Sequence, residues 1–162
     1  MLFELRKLKI IKQLSRDCDC YTAELWIDGR LAFLAGNRGQ GGADDYRQAG
    51  VLTEAEVESW LKANRPGRTF HGIPLPPTLE HEVAFLMDEA ENMALLRRRL
   101  RTNIITIEDG KVYTYPLKKR PIATAIAAMR TKIPHIEILN ETGDGGLRRA
   151  VAILSEQSIE SE

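Results

Sequence analysis

The chain has 162 residues, 43% of them hydrophobic and 28% charged, and its 23 Lys and Arg balance 23 Asp and Glu. Such a chain can bury a sizeable core. Its zero net charge argues against a dedicated duplex-DNA binder, which neutralises phosphate with excess cation, so nucleic acid is not an expected partner. No run approaches the roughly eighteen apolar residues of a membrane span. The opening Met-Leu-Phe-Glu-Leu-Arg-Lys also lacks the apolar centre of a signal peptide. No membrane association and a cytoplasmic location are therefore expected.

Residues 2–14 alternate as a strand with Phe3, Leu5, Leu8, Ile10 and Leu14 as its apolar members. The step from Leu5 to Leu8 breaks period two and predicts a bulge or kink near Arg6-Lys7. A polar turn over Ser15–Asp19 follows, and residues 20–27 then alternate cleanly. Asp28-Gly29 is a strong hairpin signal, and the return strand from Arg30 to Ala35 carries Leu31, Phe33 and Ala35 on one side. Cys18 and Cys20 are too close in sequence to bridge each other comfortably and are expected as free thiols. With only Asp17 and Asp19 beside them they make a poor metal set, so no metal is expected.

Next comes Gly36–Arg47, Gly-Asn-Arg-Gly-Gln-Gly-Gly-Ala-Asp-Asp-Tyr-Arg, which holds four of the chain's twelve glycines. Two readings are open. As a site, the backbone N–H groups of Gly39, Gly41 and Gly42 would form an anion nest between Arg38 and Arg47. Asn37, Gln40, Asp44 and Asp45 would add polar contacts. As a connection, the same residues would only carry the chain from hairpin to helix.

The first helix has a well-marked start. Thr53 and Glu56 form a capping box, flanked by a Leu52–Val57 staple, and Val57, Trp60 and Leu61 make the inward stripe before Asn64-Arg65-Pro66-Gly67. Residues 65–77 hold four of the seven prolines and read as an extended linker containing Phe70 and His71. Thr78–Arg101 reads as a long helix, acidic at its start and basic at Arg97–Arg101, as the macrodipole favours. Its four-three row of Leu79, Val83, Leu86, Ala90 and Met93 also offers a seam for a homodimer through helix 78–101.

A second hairpin is expected around Asp109-Gly110, followed by the basic run Lys118-Lys119-Arg120. Pro121 then opens a helix with Ile122, Ala125, Ile126 and Met129 on one face. A strand over 135–139, a glycine turn over 140–146 and a helix from about Leu147 complete the chain, with 156–162 as a fraying tail.

No nucleophile, base and orienter stand at recognisable spacing, and Gly39-Gln-Gly-Gly42 has neither the dinucleotide fingerprint nor the Lys-Ser/Thr ending of a phosphate loop. No catalytic residue, metal site or cofactor is assigned.

The order of elements resembles that of a family of small accessory proteins of tailed phages and prophages. The resemblance rests on the hairpin Leu25-Trp-Ile-Asp-Gly-Arg30, the turn Asn37-Arg-Gly-Gln-Gly-Gly42, a long helix with a basic end, a second hairpin and the late Ile138-Leu139-Asn140. In those relatives the turn reads Gly-His-Gly-Gly followed by Cys. Gln40 and Ala43 stand there in this chain, which counts against histidine or thiol chemistry. The resemblance implies an accessory protein in the host cytoplasm, acting on host defence by sequestering a ligand or covering a protein.

The expectations are these. Residues 1–155 form one α+β domain, with a possible subdivision near 65–77. Both hairpins, with the N-terminal and late strands, join one mostly antiparallel sheet with helices mainly on one face, since each alternating hairpin has one apolar face to bury. Tyr21, Ala23, Leu25, Leu31 and Phe33 lie under Leu86, Ala90 and Met93. The function is binding of a small anionic, nucleotide-like ligand by Asn37, Arg38, Gly39, Gln40, Gly41, Gly42, Asp44, Asp45 and Arg47. The alternative is a protein-binding inhibitor of a host protein with no small ligand, using the linker and helix 78–101, with Trp26 or Phe70 as its aromatic anchor.

Overall fold

The structure, a computed structural model, describes residues 1–70 and 73–160, and their side chains outside 69–70 and 156–160. His71 and the Phe70 side chain thus lie outside the described residues. The chain forms two compact units, Met1–Asp88 and Glu89–Glu162.

In the first unit β1 (Phe3–Ile10), β2 (Cys20–Ile27), β3 (Arg30–Arg38) and β4 (Asp45–Gln48) form an antiparallel sheet in chain order. The expected bulge is present: the β1–β2 register shifts between Arg6 and Lys9, and Lys7 sits at φ 52°. The strand is shorter than expected, since residues 12–14 form a 3-10 turn. Asp28 (φ 49°) and Gly29 (φ 75°) both take the left-handed conformation of a tight two-residue hairpin turn.

One parity assignment fails. Leu25 pairs with Phe33 but Trp26 pairs with Leu31, so Ala32 is an extra residue in β3. The bulge turns Leu31 to the face of Trp26, and Ala32 is buried in its place. The segment 36–47 is also not all loop. β3 runs on through Arg38, and Asp45–Gln48 returns as β4, with Ala35 opposite Tyr46.

α1 (Glu54–Asn64) has the capping box intact. The Thr53 N–H donates to Glu56 Oε2 at 2.8 Å and the Glu56 N–H donates to Thr53 Oγ1 at 3.3 Å. The proline-bearing linker is not a plain extended crossover, since β5 (Arg68–Phe70) and β6 (Ile73–Leu75) pair as a small hairpin. α2 (Leu79–Arg99) follows, and the boundary between the units falls within it. The first core joins Phe3, Tyr21, Ala23, Leu25 and Phe33 to Val57 and Leu61 of α1 and to Leu79, Val83 and Met87 of α2. Leu86 packs at its edge, but Met93 is not a member of this core. It belongs to the core of the second unit, and Ala90 also falls in that unit.

In the second unit β7 (Asn103–Glu108), β8 (Lys111–Pro116) and β9 (Glu137–Ile138) form a separate antiparallel sheet in the order β8-β7-β9, with α3 (Ile122–Lys132) preceding β9. The protein is α+β as expected, but its two hairpins stand in different sheets. The single-sheet expectation fails because each hairpin finds its own helical stripe. Ile105 packs with Leu96, Leu147 and Val151, while Ile104 packs with Leu117, Ala125 and Ile138. Adjacent residues of one strand face opposite ways, so helices cover both faces of this sheet. Ile122 is exposed rather than inward, leaving Ala125, Ile126 and Met129 as the packed side of α3.

The last helix, α4 (Gly143–Glu160), begins earlier than expected and absorbs the glycine turn. A Cβ on Gly146 would stand 1.9 Å from Thr142 Oγ1, so the missing side chain is what lets this first turn close. The backbone expected to fray after Ser155 is helical through Glu160.

Candidate functional site

Alternation in β3 divides the glycine-rich segment into two faces. Asn37 shares the inner side with Ala35 and Tyr21, whereas Gly36 and Arg38 share the outer side with Thr22 and Cys20.

The inner side is a closed hydrogen-bond network. Asn37 Oδ1 accepts the Gly39 N–H at 2.8 Å and the Cys18 thiol at 3.1 Å, and Asn37 Nδ2 donates to the Gly42 carbonyl and to Asp44 Oδ1, both at 2.9 Å. Asp44 Oδ2 accepts from the Tyr21 hydroxyl at 2.6 Å and the Tyr46 hydroxyl at 2.9 Å. Burial, then the hydrogen bond to the Asp44 carboxylate, pushes the Tyr21 hydroxyl far above its usual range. Burial also raises Tyr46, aided by the charges of Tyr21 and Asp44. The Gly41 N–H reaches Cys18 Sγ at 3.4 Å, and the Gly39 carbonyl accepts the Arg16 N–H at 2.9 Å. Both cysteines are free thiols.

Two glycines expected to approach a ligand instead approach the chain itself. Gly39 sits at φ 77°, and a Cβ there would stand 2.4 Å from the Leu14 carbonyl oxygen. Gly41, at φ 73°, is packed against Asp17. The N–H groups of Gly39 and Gly41, two of the three in the expected nest, already have partners within the protein. Of the nine residues singled out in sequence, the structure gathers Asn37, Gly39, Gly41, Gly42 and Asp44 into this inner network. Gln40 is exposed at the tip, and Arg38, Asp45 and Arg47 lie outside the network.

Those three share the outer face. Gly36 pairs with Asp45 and Leu34 with Arg47, so both β4 residues lie on the side of Arg38, with Thr22 opposite Gly36 and Lys9 opposite Thr22. The centre of this face, Thr22 and Gly36, is low because Gly36 has no side chain. Lys9, Arg38 and Arg47 are exposed around it and form no ion pair among the described residues. Toward β1 the charges are engaged. Glu24 is held by Lys7 at 2.7 Å and by the Trp26 indole N–H at 3.1 Å, which lowers its carboxyl below the usual range. The Arg6 guanidinium lies 4.0 Å over the Trp26 ring, covering the ring expected as an aromatic anchor.

Sequence reasoning missed Lys9, Thr22 and both tyrosines. Their signal lies in strand parity: once β4 is placed opposite β3, Tyr46 must point inward to Tyr21 and Arg47 outward. The adjacent Asp44 and Asp45 diverge as adjacent residues of extended chain do.

Among the described residues no group of three or more His, Cys, Asp or Glu converges to hold a metal, and no helix is long and apolar enough to cross a membrane. No known protein family, curated protein or solved structure matches the chain.

Proposed function

We propose that this chain is a binding protein that takes a small anionic, nucleotide-like ligand on the outer face of β2, β3 and β4. The observation that carries the reading is the placement of Lys9, Arg38 and Arg47, three exposed cations with no ion pair among the described residues, around the low centre at Thr22 and Gly36. The inner network supports it by locking the segment from behind, so the guanidinium groups start from a fixed frame and less freedom is lost on binding. Two arginines suit the planar, multidentate recognition of phosphate. Asp45 sits between them and would accept from a sugar hydroxyl or a base amine. The glycine-rich segment thus serves as the frame, and the ligand is held by side chains rather than by a backbone nest. In the phage setting, which rests on the resemblance alone, such a binder would sequester a host defence signal.

The test is thermal denaturation of the intact chain across a panel of nucleotides and cyclic dinucleotides. At least one should raise the melting temperature, and Arg38→Ala and Arg47→Ala should each remove the rise. No shift across the panel, together with a stoichiometric host protein on pull-down, would replace this reading with the protein-binding one.

A further inference from the structure

The second unit contains a cavity of about 290 Å³ between β8 and α3 that the reading above does not use. That is close to the lower end, about 300 Å³, of small-ligand pockets. Its floor is apolar, formed by Ile104, Leu117, Ala125 and Met129, and two cations, Arg120 and Lys132, stand in its lining. Ile104 and Leu117 are buried, while Lys132 is exposed and forms no ion pair among the described residues.

The chain between β8 and α3 is shaped to hold Arg120 there. Lys118 (φ 47°) and Lys119 (φ 67°) are consecutive non-glycine residues in the left-handed region, a conformation that costs energy at each position. They close a tight turn in which the Arg120 N–H donates to the Leu117 carbonyl at 2.9 Å, and Arg120 Nε returns to the same oxygen at 3.3 Å. This bond draws the exposed guanidinium beside the apolar floor, and its terminal nitrogens have no partner among the described residues. Two carboxylates on this side are already engaged: Glu108 accepts from Thr106 and from the cavity-lining Tyr115, and Glu141 pairs with Arg130 of α3.

We infer that this cavity is a binding site for an amphipathic organic anion, a carboxylate with a compact hydrocarbon body. The body fills the space between Ile104 and Met129, and the carboxylate meets Arg120 and Lys132. A neutral hydrocarbon would leave the cations without use, and a bare inorganic anion would leave the apolar floor wet.

The experiment titrates the intact chain with octanoate, 1-octanol and inorganic phosphate, following the methyl NMR signals of Ile104, Met129 and Ile133. Octanoate should shift all three saturably and bind at least tenfold more tightly than 1-octanol, and phosphate should leave them unmoved. Arg120→Gln and Lys132→Gln should each weaken octanoate about tenfold. Ala128→Phe, at the cavity lining, should abolish the shifts. Arg38→Ala should leave them unchanged, which separates this site from the one proposed on the first unit. Equal affinity for octanoate and 1-octanol, no saturable shift with octanoate, or undiminished binding in both cation variants would overturn the inference.

Discussion

Tyr21 and Tyr46 donate to one and the same carboxylate oxygen, Asp44 Oδ2, at 2.6 and 2.9 Å. Tyr21 lies in β2 and Tyr46 in β4, so Asp44 ties together two strands that β3 separates. Hydrogen bonds to an ionised group are worth about 1.5–3 kcal/mol each. Asp44→Ala is therefore expected to cost about 2–4 kcal/mol, because it leaves the buried Tyr21 and the partly buried Tyr46 hydroxyls without an acceptor. Tyr46→Phe is expected to cost about 1–2 kcal/mol. Chemical denaturation read by tryptophan fluorescence measures both, since Trp26 and Trp60 are the chain's two tryptophans and both lie in the first unit.

The same cluster sets an alkaline limit on stability. Both hydroxyls are held well above the ordinary tyrosine range in the folded protein, whereas in the unfolded chain they ionise near pH 10. Above that pH the native state keeps protons that the unfolded state releases, so stability falls as pH rises, by at most about 1.4 kcal/mol per pH unit for each tyrosine. Below about pH 9 the contribution is fully present. The Tyr21→Phe, Tyr46→Phe double variant should unfold with a visibly shallower alkaline slope than the parent. Absorbance titration should show the phenolate signals of Tyr21 and Tyr46 appearing only at distinctly higher pH in the folded protein than in the urea-unfolded chain.

The glycines of the segment 36–47 are not equivalent. Gly39→Ala places a methyl group 2.4 Å from the Leu14 carbonyl at a positive φ, and an expected loss of several kcal/mol follows from the clash and the backbone strain. Gly42→Ala meets nothing within 4 Å and has no positive φ, so it should change stability by no more than about 0.5 kcal/mol. If the two cost the same, the close crossing of residues 14–20 over the segment is not what holds Gly39 in place.

Where the sequence was legible, the controlling physics was local. The Asp28-Gly29 and Asp109-Gly110 turns, the Thr53–Glu56 capping box and the break in period near Lys7 each need only neighbouring residues, and each is present. β4 was not legible because Asp45–Gln48 carries one apolar residue on its inner face, Tyr46, and becomes a strand only by pairing with β3. The same holds for Leu31, whose side was decided by the bulge at Ala32. Asn37 was legible as important but its role was not. An amide that bonds Gly39, Gly42, Asp44 and Cys18 looks in sequence like one that bonds a ligand. Arg120 was visible only as part of a basic run, because its place beside the cavity depends on the folding of α3 onto Ile104.

Glu82 provides the last test. Its carboxylate is 9% exposed and faces two cations, Arg65 at 3.3 Å and Arg68 at 3.6 Å. Arg65 lies about 6 Å over the rings of both Phe3 and Trp60, and Arg68 lies 4.5 Å over Phe85, so both guanidinium groups rest on apolar surface. Removing one partner of a buried pair typically costs about 3–5 kcal/mol, since the remaining charge is left uncompensated. Here the arginine side chains are 32% and 43% exposed, and water screens part of that penalty. Glu82→Ala is accordingly expected to cost about 2–3 kcal/mol, and Arg68→Ala under about 1 kcal/mol, because Arg65 still faces the carboxylate. The Glu82→Leu, Arg65→Met double variant should recover most of the loss, as apolar replacements of buried ion pairs commonly do. Urea denaturation of the four proteins decides the matter. A cost below about 0.5 kcal/mol for Glu82→Ala would mean that the ion pairs are solvated, and that α2 is held on the first core by its apolar residues, Leu79, Val83, Leu86 and Met87.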